Sequence, residues 1–155
     1  MVAEVSKLQV THSLGVTRFV HADNGELLAV VVASNTTADG ITFLTDSSDQ
    51  FQVGLLGWPA DHVIDAHTHV QLDRTISRTS EVLFVRSGAV KMSLYTDGGS
   101  HLIDHELRTG DVVVLLAGGH GFTMLEPSQL VEIKQGPYLG EKEKIRFEAA
   151  ISDTE

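Results

Sequence analysis

The stretch Glu81-Val82-Leu83-Phe84-Val85-Arg86-Ser87-Gly88 decides the fold class. It opens on a carboxylate, runs through β-branched and aromatic residues, and stops at a glycine, the composition of a strand that enters a tight turn. Val30-Val31-Val32, Ile41-Thr42-Phe43-Leu44 and Val112 to Leu116 have the same character. Turn signals separate them: Asp23-Asn24-Gly25, Ala38-Asp39-Gly40, Asp97-Gly98-Gly99 and Thr109-Gly110-Asp111. No segment carries an apolar helical stripe over three turns. Many short strands at short spacing predict an all-β sandwich or barrel.

Working outward, Leu83 and Val85 point to one side of their strand while Val82 and Phe84 point to the other. A barrel interior covers only one such face, so lead-in strands or a second subunit must cover the other. The chain reads as a single domain over 1–155: lead-in strands to about residue 50, a barrel core over 51–135, and a polar closing arm over 136–155. At 155 residues it can bury roughly 70% of the surface of its unfolded form.

Charge and composition narrow the partners. Twenty-one acidic against 11 basic residues give a net charge of −10, which disfavours nucleic acid and anionic membranes. The chain has no cysteine, which removes disulfides, thiolate ligands and cysteine nucleophiles together. The apolar runs are too short to span a bilayer, and the first residues lack the pattern of a secretory leader, so the cytoplasm is the expected compartment.

The candidate chemistry begins at His67-Thr68-His69. On a strand, residues two apart share a face, and two imidazoles so placed can converge on one ion. Eight histidines in 155 residues give about 0.4 such pairs by chance, so the pair needs company. Glu81 supplies it: its face continues through the apolar Leu83 and Val85, where an unpaired carboxylate is costly. A further histidine, His120, follows Gly110-Asp111, the strand Val112 to Leu116, and the turn Ala117-Gly118-Gly119.

Together these residues resemble the two motifs of the cupin superfamily. The first, a glycine, a His-x-His pair, a glutamate and a glycine, is matched by Gly57 or its neighbourhood, His67, His69, Glu81 and Gly88. The second is matched by Gly110, Asp111, Gly118 and His120. Four departures stand out: Val70 to Ser80 lengthen the interval before the glutamate, Leu116 occupies the usual turn-proline position, His120 arrives one residue early, and Met124 replaces the common asparagine after it. The resemblance implies a double-stranded β-helix, the cupin jelly-roll barrel, with His67, His69, Glu81 and His120 binding one divalent metal. It also implies a homodimer. Three imidazoles and a carboxylate suit Fe, Mn, Ni or Zn without choosing among them.

Arg74 and Arg78, in the long hairpin near the expected barrel mouth, are candidates to hold an anionic part of a small-molecule ligand. Phe122 and Met124 share the face of His120 on a regular strand and are candidates to line its pocket. His101 and His105 lie in a charged stretch and are expected to be exposed. No general acid or base beyond the metal ligands stands out. His105-Glu106 lacks the second histidine of a zinc-protease helix, the glycines around His120 are followed by no phosphate-loop lysine, and no nucleophile elbow exists.

The expected function is therefore that of a metal-dependent cupin acting on a small polar or carbohydrate-like molecule, with oxygenase, isomerase or lyase chemistry. The alternatives are a non-catalytic ligand-binding or sensing module, and a metal-free sugar-nucleotide isomerase or epimerase tied to surface-polysaccharide synthesis.

Overall fold

In the computed structural model, which describes residues 8–148, each apolar run quoted above lies on a strand. The strands are β1 (Leu8–Ser13), β2 (Val16–His21), β3 (Leu27–Val32), β4 (Gly40–Phe43), β5 (Gly54–Gly57), β6 (Glu81–Ser87), β7 (Ala89–Tyr95), β8 (His101–Arg108), β9 (Val112–Leu115), β10 (Gly119–Met124) and β11 (Gln129–Lys134). The one helical element among the described residues is a 3-10 turn at Gly140–Glu143. Among the described residues no helix is long and apolar enough to cross a membrane.

The pairing is antiparallel throughout. A six-stranded sheet runs β1-β2-β3-β9-β6-β11, a three-stranded sheet runs β10-β7-β8, and β4 pairs with β5. Side chains alternate along a strand, and directly paired residues share a face, so the registers define which residues meet. Phe19, Ala29, Val31, Val113, Leu83 and Val85 line the inner face of the large sheet. They share one buried cluster with Val90, Met92, Leu94 and Leu107 of the smaller sheet. The chain is thus an all-β, two-layer structure, and neither layer closes on itself.

Two turn residues explain the sequence signals that flank the strands. Gly88 joins β6 to β7 at φ 93°, and a Cβ there would stand 2.2 Å from Ser128 Oγ, so only glycine fits. Asp111 clamps two segments: its carboxylate accepts from the Ser34 and Arg108 backbone N–H groups, each at 2.8 Å.

The lead-in strands take a different place from the one expected. β1 to β3 extend the large sheet rather than lying over its outer face. That face is covered only in part: Val30 and Val114 are buried, and the Arg18 guanidinium beside Val30 donates to the Leu44 carbonyl. On the β6–β11 side Phe84 remains 39%, Val131 43% and Ile133 60% exposed.

His105 also departs from expectation. It pairs with Met92 on the inward side of β8 and sets its ring edge-on to Phe19, with centroids 5.2 Å apart. Burial holds its pKa below the ordinary 6.5. The local excess of charge belongs instead to the outward residues. There Ser93 Oγ and His101 Nε2 both donate to Asp104 Oδ1, at 2.6 and 2.8 Å, and Lys91 Nζ stands 3.2 Å from Oδ2.

Two outcomes follow from this packing. Met92 is fully buried between the layers, so Met92→Ala should cost about 2–5 kcal/mol in urea denaturation. The Ser93 and His101 hydrogen bonds hold Asp104 at about 2, against an ordinary 3.8. A carboxyl with a depressed folded pKa contributes stability that is complete above the ordinary value and is lost as pH falls through the window down to the folded one. Asp104→Asn should therefore lower the urea midpoint at about pH 6, and its deficit against wild type should shrink by about pH 2.5.

Candidate functional site

The two layers face each other across an open side bordered by β6 and β11 on one wall and β10 on the other. β6 begins here with Glu81, whose side chain points inward between its paired neighbours Leu115 and Lys134. On the opposite wall the turn at Gly118, φ 71°, brings a Cα so close to the Tyr95 carbonyl that a Cβ would lie 2.7 Å from its oxygen. From that turn β10 pairs regularly with β7, Gly119 with Tyr95 through Met124 with Val90. His120, Phe122 and Met124 consequently share the inward face, paired with Leu94, Met92 and Val90.

These registers bring Glu81 and His120 together across the gap. His120 Nε2 donates to Glu81 Oε2 at 3.1 Å, and Lys134 Nζ lies 3.5 Å from Glu81 Oε1 and 3.5 Å from Glu132 Oε1. Glu81 is buried, which by itself raises a carboxyl pKa. The hydrogen bond from His120 outweighs that, Lys134 and Lys144 act in the same direction, and the net shift is downward. The site thus holds an ionised carboxylate between an imidazole and an ammonium group.

The pair opens onto a cavity of about 1160 Å³ whose apolar wall includes Leu83, Leu115, Phe122, Met124 and Leu130. Tyr95 lines it as well, and Phe122 leans on His120 at 5.9 Å between ring centroids. Arg78 stands at the rim, but it is already engaged. Its guanidinium grips both oxygens of Asp97, at 3.0 and 3.1 Å, and lies 3.5 Å from Glu26. Arg74 lies outside the cavity wall, on the exposed stretch described next.

His67 and His69 occupy a different setting from the strand expected for them. Residues 58–80 form no strand, and every residue from 59 to 79 is exposed. The two rings meet edge to face at 5.3 Å, and His67 Nδ1 bonds the Asp65 carbonyl at 2.8 Å. Alternation requires a neighbouring strand to fix it, and this stretch has none. Among the described residues no three His, Asp or Glu side chains form a group that could hold a metal ion.

The donor set therefore fits an ion at one half. Two donors bonded to one ion at about 2.1 Å stand roughly 3.0–3.4 Å apart, and the Glu81–His120 separation falls in that interval. The imidazole presents Nε2, with the carboxylate directly opposite. The other two expected ligands stand apart from this pair. No family model, curated protein or solved structure matches the chain.

Sequence reasoning passed over Lys134 and Tyr95. Lys134 was detectable in principle: Leu130, Glu132 and Lys134 alternate with Val131 and Ile133, so either set could have faced inward. If Glu81 and His120 couple as placed, a double-mutant cycle of Glu81→Gln and His120→Gln, run in chelator, should give an interaction of about 0.5–3 kcal/mol. Additive losses would contradict the pairing.

Proposed function

We propose that the chain is a cupin-type metal-binding protein of the cytoplasm that acts on a small polar or carbohydrate-like molecule in the cavity beside Glu81 and His120. The observation that carries this is the 3.1 Å contact between a buried carboxylate and an imidazole, set on opposite layers and facing the same cavity. A buried ionised carboxylate needs compensation, and a divalent ion supplies more of it than the imidazole alone.

Glu81 and His120 would hold the ion, with His67 and His69 completing the set once the 59–79 stretch covers the cavity. Held there, the ion would supply Lewis-acid or redox chemistry toward an oxygen of the ligand. The chain's own contribution is positional. His120, with a smaller contribution from Lys134, keeps Glu81 ionised, Phe122 and Met124 line one side, and the Arg78 guanidinium, fixed by Asp97, borders the mouth. Oxygenase, isomerase and lyase chemistry are all compatible with such a site.

A second function is favoured by one feature, the hydrogen bond that already orients His120. An imidazole held by a carboxylate and flanked by an aromatic ring can move a proton on a sugar-like ligand without any metal. That is the chemistry of a metal-free isomerase or epimerase. The same pocket without turnover would be a binding or sensing module.

Elemental analysis of untagged protein, purified without chelator, separates them. Wild type is expected to carry near one equivalent of a single divalent metal, lost in both Glu81→Gln and His120→Ala. Metal-free wild type that still binds a sugar-like ligand would move the assignment to the proton-transfer or binding function.

A further inference from the structure

Part of the cavity wall comes from beyond the last strand. Residues 143–147 line the open side together with β6, β10 and β11. The stretch that carries them leaves the large sheet where β11 ends at Lys134, the residue whose ammonium group stands beside Glu81. Lys134 Nζ also lies 5.5 Å from the centre of the Tyr138 ring. After the 3-10 turn at Gly140–Glu143 the chain reaches the small sheet, where Phe147 sets its ring edge-on to Tyr95 at 5.2 Å. Tyr95 pairs with Gly119, and Gly119 precedes His120. The stretch therefore starts next to the partner of Glu81 and lands next to His120, crossing from one layer to the other where those two residues meet. Lys144, on the crossing, is near enough to help hold Glu81 ionised.

The landing is a seat made by two missing side chains. A Cβ on Gly99 would stand 3.0 Å from Phe147 Cδ2 and 3.1 Å from Cγ, and one on Gly119 would stand 2.9 Å from Cζ and 3.1 Å from Cε1. The ring thus lies along both glycines, and a side chain at either would displace it. Gly99 is outside the cavity wall, so Phe147 fastens at the rim and does not fill the pocket. No hydrogen bond or ion pair ties residues 136–148 to either sheet among the described residues. Their polar contacts are internal: Leu139 N–H donates to Glu143 Oε1 at 2.8 Å, Lys144 N–H to the Glu141 carbonyl at 3.3 Å, and Arg146 pairs with Glu141. Ile145, on the crossing, is 93% exposed. Segments that pack by few apolar contacts and share no backbone bonds with their surroundings open at low cost.

We infer that residues 136–147 form a strap that opens and closes over the Glu81–His120 pair, with Phe147 as its latch. Because its hydrogen bonds are its own, the strap can swing from the end of β11 as a unit without breaking one. Release of Phe147 uncovers the pair, and fastening it keeps the contents of the cavity in place. That the strap retains a ligand or an ion rests on the function proposed above, whereas its opening and closing over the pair does not.

The test reads access to His120 directly, as its rate of acylation by diethyl pyrocarbonate in chelator-treated protein, site by site through peptide mass spectrometry. Phe147→Ala is expected to raise the His120 rate about tenfold, the scale of losing the burial of most of a phenyl ring. Exposed His67, and His105 against Phe19, should keep their wild-type rates. A second variant carries Gly99→Cys with Phe147→Cys in a chain that has no other cysteine. A Cβ on Gly99 lies 3.5 Å from Phe147 Cβ, within the range a disulfide bridges. Gly99 has φ 85°, so a cysteine there is strained, but equally in the oxidised and reduced protein. The oxidised form, strap fastened, should acylate His120 at the wild-type rate or below, and the reduced form at the rate of Phe147→Ala.

A His120 rate that ignores both Phe147→Ala and the state of the disulfide would overturn the strap. A rise shared by His105 would overturn the latch as well, since it would mean that the whole body had loosened. Failure of the two cysteines to join under oxidation would contradict the seat itself. Metal content, measured before the chelator is added, keeps the two proposals apart. A latch effect in protein that carries no metal removes the ion and leaves the strap standing, and metal-loaded protein whose His120 ignores the latch does the reverse.

Discussion

A carboxylate buried at the first residue of a core strand is the constraint on which the rest of this structure turns. Glu81 begins β6 with the inward parity of Leu83 and Val85, so whatever packs those two residues also takes Glu81 out of water. An isolated charge there would be neutralised or would break the packing. Here it is met from both sides, by His120 across the gap and by Lys134 on the adjoining strand. The contact with His120 joins the two layers at the side where apolar packing gives out. Farther inside, Val85, Val90, Met92 and Leu107 hold the layers together by burial alone.

Much of this was legible from sequence because it depends on short-range rules. Runs of β-branched residues closed by glycine became strands, and Gly88 and Gly118 mark turns whose left-handed backbone and close neighbours exclude a side chain. The motif spacing that singled out Glu81 and His120 selected two residues that meet at 3.1 Å although they lie on different sheets. What escaped was set by tertiary neighbours. His105 sits among charged residues in sequence but faces Phe19 because its parity on β8 is inward. Lys134 belongs to a strand on which either alternate set could have been the inner one.

The His67-Thr68-His69 segment is the instructive case. Its alternation reads as a strand, but a strand exists only where another edge receives it, and no strand pairs with this stretch. An open edge on β10, an open edge on β11 and an apolar arm with strand alternation are three incomplete features of one molecule.

The most direct measurement of the central claim, that Glu81 and His120 form the working centre of the cavity, is the long-range ¹H–¹⁵N spectrum of the imidazoles during addition of one equivalent of Zn(II) to metal-free protein. The expected result is that the His120 Nε2 resonance moves to a metal-bound position together with those of His67 and His69, and that Glu81→Gln suppresses the change. An unaltered His120 resonance, with zinc taken up elsewhere or not at all, would contradict it.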